Sequence, residues 1–235
     1  MARLSTEKNS FLNGLLNADD TGLIGYSMGG YGVINVAGAG YSLQASQFFS
    51  SMSNGSKALQ RRTFGNQDFE ASIDPRIKAV VAFAPWGMTR GVWNAKGLSG
   101  INIPALFVAG SMDDISGYEK GTKAIFEGAV NSDRYLLTYV NARHNVAPNP
   151  PPAESLEPGL HLDEYLRYAD SVWDMRRINN INQHFVTAFL GWHLKKKDGH
   201  ASYLTIDNNE EKQEWPGFKP RTTVGLKLEH RDANE

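Results

Sequence analysis

Ser27 stands among glycines in TGLIGYSMGGYG, residues 21–32, directly after a short apolar run. A serine hydroxyl attacks a carbonyl carbon efficiently only when a neighbouring base takes its proton. A histidine oriented by a carboxylate is the usual device. Asp113 and His144 follow in that order. PALFVAG ends at Gly110, shortly before Asp113, and YLLTYVN ends at Asn141, shortly before His144. Three such groups, each just past a strand-like run, predict acyl transfer. Ser27 is the expected nucleophile, His144 the base that later returns the proton, and Asp113 the group that fixes the imidazole tautomer. Asp114 competes for the acid role, and Asp113 is favoured because it comes sooner after the run. The backbone N–H of Met28 is the expected oxyanion donor.

The segment Gly25-Tyr26-Ser27-Met28-Gly29 fits G-x-S-x-G, with a strand expected before it and a helix after it. Glycines two residues to either side let the chain turn tightly and present the hydroxyl. A phosphate cradle fits less well, because a Walker loop requires Gly-Lys-Ser/Thr and a dinucleotide fingerprint requires glycine where Ser27 stands. His161, His184, His193, His200 and His230 show no metal-binding spacing, and the chain has no cysteine, so no metal site is expected. His184 and His193 read as helix-surface residues.

The elements that must position these groups read as α/β. Residues 79–85 (AVVAFAP), 104–110 (PALFVAG) and 135–141 (YLLTYVN) are continuous apolar runs of strand length. Such runs belong to a parallel sheet buried on both faces. Leu23-Ile24 supply a short strand before the elbow, and a small-residue helix from Tyr31 to Ala37 closes at Gly38 and Gly40. A helical segment is expected around residues 118–129. Ile178, Ile181, Phe185, Phe189 and Trp192 recur every three or four residues and mark one long amphipathic helix. Asp174 is its expected cap, and Lys195 to Lys197 are its expected last turn before Gly199. Ser10 is expected to cap a short helix bearing Phe11, Leu12, Leu15 and Leu16. Residues 41–75 read as an irregular excursion with a short helix near 57–62. Residues 148–158 read as a proline-rich connection, and residues 223–228 as an edge strand.

With 235 residues, 41% apolar and 21% charged, the chain has material for one sizeable domain. The expected division is a core over 1–200 and a polar extension over 201–235. A formal net charge of −1 provides no field for nucleic acid or an anionic membrane, so a small-molecule partner is expected. No apolar run reaches the ~18–20 residues of a membrane span. The absence of cysteine leaves the redox compartment open. A cytoplasmic location follows if Met1 is the natural start.

GYSMGG around Ser27, GSMDD around Asp113, ARHN around His144 and the strand end AFAPW together resemble the α/β-hydrolase superfamily, specifically its dienelactone-hydrolase-like and acetylhydrolase-like serine esterases. The resemblance covers residues 10–195. It implies a partial α/β-hydrolase fold that begins just before the nucleophile elbow, with a mostly parallel sheet flanked by helices. It also implies hydrolysis of carboxylic esters through an acyl-enzyme, with no cofactor. APW, residues 84–86, is similar to bacterial cutinases and implies that Trp86 walls the substrate pocket. Such enzymes place several strands and a second oxyanion donor ahead of the elbow, whereas here 20 residues precede Thr21 and no HGGG stretch occurs. The alternative expectation is therefore a non-catalytic or truncated remnant that associates with another chain, or with its own copy, through an exposed sheet edge.

Overall fold

A computed structural model describes residues 2–205 and 215–235. Five strands form one sheet in the order β1-β2-β3-β4-β5: β1 (Thr21–Tyr26), β2 (Ile77–Phe83), β3 (Ala105–Gly110), β4 (Arg134–Tyr139) and β5 (Leu226–Arg231). The first four are parallel, and β5 runs antiparallel to β4. The helices are α1 (Ala2–Thr6), α2 (Met28–Val36), α3 (Leu43–Met52), α4 (Gln67–Ala71), α5 (Ala95–Leu98), α6 (Lys123–Gly128), α7 (Leu162–Leu166) and α8 (Met175–His193). This is the α/β class expected from the apolar runs.

The runs are continuous because both faces of the sheet are covered. Ala79, Val81 and Phe83 of β2 pack with Leu106, Val108, Leu137 and the α8 stripe of Ile178, Ile181, Phe185 and Phe189. Val80 and Ala82 point the other way, into a second core with Phe107, Leu136, Ile34 of α2 and Phe126 of α6. Each fully buried aliphatic or Phe side chain contributes ~1.5–3 kcal/mol, so α8 is held chiefly by its stripe. Asp174 caps α8 as expected, its carboxylate accepting from the N–H of Arg176 at 2.9 Å and of Arg177 at 3.1 Å.

Several local expectations change. Residues 11–15 form turns rather than a helix, although the Ser10 hydroxyl does accept from Leu12 N–H at 3.1 Å. So few residues cannot offset the cost of helix nucleation without packing, and Phe11 and Leu15 are exposed. Residues 41–75 are more ordered than their composition suggests, since they contain α3 and α4, capped by Ser42 and Asn66. The helix expected near 57–62 is a single turn over Gln60–Arg62. A widened turn, Tyr118–Thr122, precedes α6, and its break falls at Gly121. Lys195 to Lys197 lie beyond the end of α8 at His193. The edge strand starts three residues later than expected.

That edge strand pairs with β4, not with β1. Among the described residues β1 pairs only with β2, so the strand carrying the elbow is the outermost of the sheet. Its Ile24 is 55% exposed.

Candidate active site

Ser27 sits where β1 turns into α2, with φ 53° and ψ −110°. A side chain in such a backbone conformation costs ~1–3 kcal/mol and persists only where surrounding bonds fix it. Here three do. Ser27 N–H donates to Phe83 C=O at 2.9 Å, and Ser27 C=O accepts from Trp86 N–H at 3.1 Å and from Tyr31 N–H at 3.0 Å. The end of β2 thus holds the serine from both sides.

The glycines that make the turn possible are not quite those of the motif. A Cβ on Gly25 would lie 2.1 Å from the Gly29 carbonyl oxygen, so no side chain fits there. A Cβ on Gly30 would lie 2.9 Å from Pro85 Cα, because α2 crosses close over the end of β2. A Cβ on Gly29 would meet nothing within 4 Å.

His144 lies in the loop after β4, and its Nε2 is 3.0 Å from Ser27 Oγ. Its Nδ1 is 3.0 and 3.1 Å from the two oxygens of Asp113, in the loop after β3. A carboxylate can only accept, so Nδ1 carries the proton and Nε2 presents its lone pair to the serine hydroxyl. Both His144 and Asp113 are buried. Burial pushes the Asp113 carboxyl up. The hydrogen bond and charge of His144, with the N–H groups of Ile115 and Ser116, outweigh it and leave the group below its ordinary value. The two backbone bonds are each 2.9 Å.

Asp114 is placed elsewhere. Its exposed carboxylate pairs with the guanidinium of Arg143. Of the two adjacent acids, the fold brings Asp113 to His144 and turns Asp114 toward solvent. The Met28 N–H is the first of α2, among the four that a helix leaves without an intrahelical acceptor, and the Met28 side chain is exposed. Trp86 is half-buried just past β2, its ring edge-on to Tyr31 at 5.9 Å between centroids. A cavity of about 200 Å³ opens beside His144, bounded by Ile115, Asn145 and Leu166.

Two supporting residues escaped the sequence reading. The Tyr26 hydroxyl donates to Asn145 Oδ1 at 3.2 Å, and its ring lies 5.3 Å from the His144 ring. Burial, and then the charge of Asp113, raise its pKa to about 12, so it remains a neutral donor. The Asn145 amide donates to the carbonyls of Leu166 at 3.0 Å and Ala169 at 2.8 Å, which anchors the histidine loop to the end of α7. Both flank a predicted residue directly, and adjacency was the only signal available.

His193 and His184 also depart from expectation. His193 is buried and His184 half-buried, because α8 packs more of its circumference than its stripe suggests.

No protein-family model matches the chain, and no curated protein matches it.

Proposed function

We propose that this protein is a serine hydrolase of the α/β-hydrolase kind, cleaving carboxylic esters through an acyl-enzyme. The reading is carried by one observation: an unbroken Asp113–His144–Ser27 hydrogen-bond chain at the carboxyl ends of β3, β4 and β1, three of the four parallel strands of one sheet. Open α/β sheets bind ligands at that end.

In the proposed reaction Ser27 Oγ attacks the ester carbonyl carbon as its proton passes to His144 Nε2. The imidazolium, steadied by Asp113, gives that proton to the departing alkoxide oxygen. Water then attacks the acyl-serine with His144 again acting as base, releasing the carboxylic acid and restoring the hydroxyl. Met28 N–H faces the developing oxyanion, where the positive end of α2 adds to its effect. Trp86, beside the elbow and packed on Tyr31, is the proposed pocket wall.

Labelling with a fluorophosphonate probe, read by intact mass, tests this. One adduct per chain that is absent in Ser27→Ala and in His144→Ala is the expected result. A folded chain that takes up no probe, or a Ser27→Ala variant that still does, overturns the assignment.

A second reading is favoured by the position of β1. An outermost strand with an exposed isoleucine is a template for pairing, so this chain associates along β1 with a second copy or another strand-bearing chain. Size-exclusion chromatography with light scattering distinguishes the two. A monodisperse monomer that labels at Ser27 removes the association reading.

A further inference from the structure

At the other end of the sheet, four side chains distant in sequence converge. Asp133 immediately precedes β4, His230 lies on β5, Asp232 follows β5 and His193 closes α8. His230 Nε2 is 2.7 Å from Asp133 Oδ1 and 3.7 Å from Asp232 Oδ1. His193 Nε2 is 3.7 Å from Asp133 Oδ2. One ligand atom from each of Asp133, His230 and Asp232 falls within a 4.8 Å sphere of mutual distances.

The His193 nitrogen is the telling one. The residue is only 7% exposed, yet among the described residues its Nε2 has no hydrogen-bond partner. A buried polar atom left without a partner is costly unless something occupies it. This nitrogen faces a carboxylate oxygen of Asp133 at 3.7 Å.

Aromatic rings frame the cluster. Tyr135, the cross-strand partner of His230, stacks on that imidazole at 4.2 Å and meets the His193 ring edge-on at 6.1 Å. The guanidinium groups of Arg134 and Arg231 both lie over Phe126; that of Arg134 also donates to the Asp232 carbonyl at 3.1 Å, and Arg231 borders the cavity. A cavity of about 630 Å³ opens beside the cluster and gives an ion and its water a route in.

We propose that His193, His230, Asp133 and Asp232 form a binding site for a divalent transition-metal ion, Zn²⁺ being the best fit to two imidazoles and two carboxylates. Tetrahedral zinc with bonds of ~2.0–2.2 Å holds neighbouring ligand atoms ~3.4 Å apart. The 2.7 and 3.7 Å from His230 Nε2 to Asp133 and Asp232 bracket that spacing, whereas His193 Nε2, 3.7 Å from the second Asp133 oxygen, stands outside this mutually close group of three and must draw in to complete the set. The ion takes the place of the proton that His230 Nε2 shares with Asp133. It ties the end of α8 and the start of β4 to β5, the one antiparallel strand. The site lies a strand's length, ~20 Å, from Ser27, so it clamps the fold and stands independently of the serine chemistry. Sequence spacing gave no hint of it, since 97 residues separate Asp133 from His230.

The test is titration of the untagged full chain with Zn²⁺ by calorimetry, alongside thermal unfolding with and without the ion. One equivalent bound and a raised Tm are expected, with Co²⁺ giving the intense visible bands of a four-coordinate site. His230→Asn, at a half-exposed position, and His193→Gln each weaken binding by about tenfold or more and abolish the Tm rise. His161→Asn, remote from the cluster, binds as the parent does. Absence of stoichiometric binding overturns the site, and so does binding that survives His230→Asn or is lost in His161→Asn. His230→Asn alone decides the matter if His193→Gln fails to fold.

Discussion

His144 Nε2 lies 3.0 Å from Ser27 Oγ across 117 residues of chain, while its Nδ1 faces both oxygens of Asp113. The histidine is thus held between an acceptor that fixes its proton and a hydroxyl that needs a base. Each group comes from a different strand end, so the geometry depends on the register of β1, β2, β3 and β4.

The adjacent acids separate cleanly. Asp113→Asn removes the acceptor that orients Nδ1–H, and ester turnover falls by ~10⁴-fold in kcat. Asp114→Asn loses only an exposed pair with Arg143 and changes kcat by less than ~threefold. Steady-state kinetics on a chromogenic short-chain ester checks both. Equal losses in the two variants would refute the placement of Asp113.

On the proposed function, removing the nucleophile or the base has a larger effect. Ser27→Ala and His144→Ala each reduce turnover by ~10⁶-fold. Circular dichroism and the urea midpoint show that the fold persists. Replacing Ser27 also removes its hydrogen bond with His144 Nε2, so a small loss of stability is expected alongside.

The elbow glycines differ in their tolerance. Gly25→Ala drives a methyl into the Gly29 carbonyl and costs several kcal/mol, ~3 or more, or prevents folding. Gly29→Ala adds a methyl in open space near the start of a helix, where alanine is favoured over glycine by up to ~1 kcal/mol, and leaves stability unchanged or improved. Urea unfolding of the two variants beside the parent measures the contrast.

Stability falls on acidification through His184. Its ring packs among Phe185, Tyr203 and Phe218 with Nε2 unpartnered, and burial lowers its pKa below the ordinary 6.5. Between those two values the unfolded chain binds more protons than the native one. The stabilising effect of a neutral His184 is therefore full above the unfolded pKa and lost as pH falls through the folded one. The urea midpoint drops between about pH 7.5 and 5.5. His184→Gln drops less over the same interval, and an identical drop would assign the effect to other groups.

Much of the fold was written in local pattern. Runs such as Ala79 to Phe83 are apolar at every position because both faces of a central strand are covered, and that is visible without coordinates. The α8 stripe and the Asp174 cap are equally local, set by helical period and by one side chain reaching two N–H groups. Short elements lacked such a signal. Residues 11–15 carried apolar residues at helical spacing but nothing to pack against, and α3 emerged from a polar stretch because its Ser42 cap and tertiary contacts outweigh composition.

The sequence by itself determined which residues are candidates for the site, since Ser27, Asp113 and His144 each stand just past the end of an apolar run, in that order. Only the tertiary structure decided how they meet, which of two adjacent acids faces the histidine, and that Gly30 rather than Gly29 sits closest to a neighbouring strand. It also decided that β1 is the outermost strand, and that Asp133, His193 and His230 share one corner of the sheet. The physical reason is range. Periodicity, caps and turns arise from neighbours a few residues apart, whereas strand order and side-chain convergence are fixed when distant segments close on a common core.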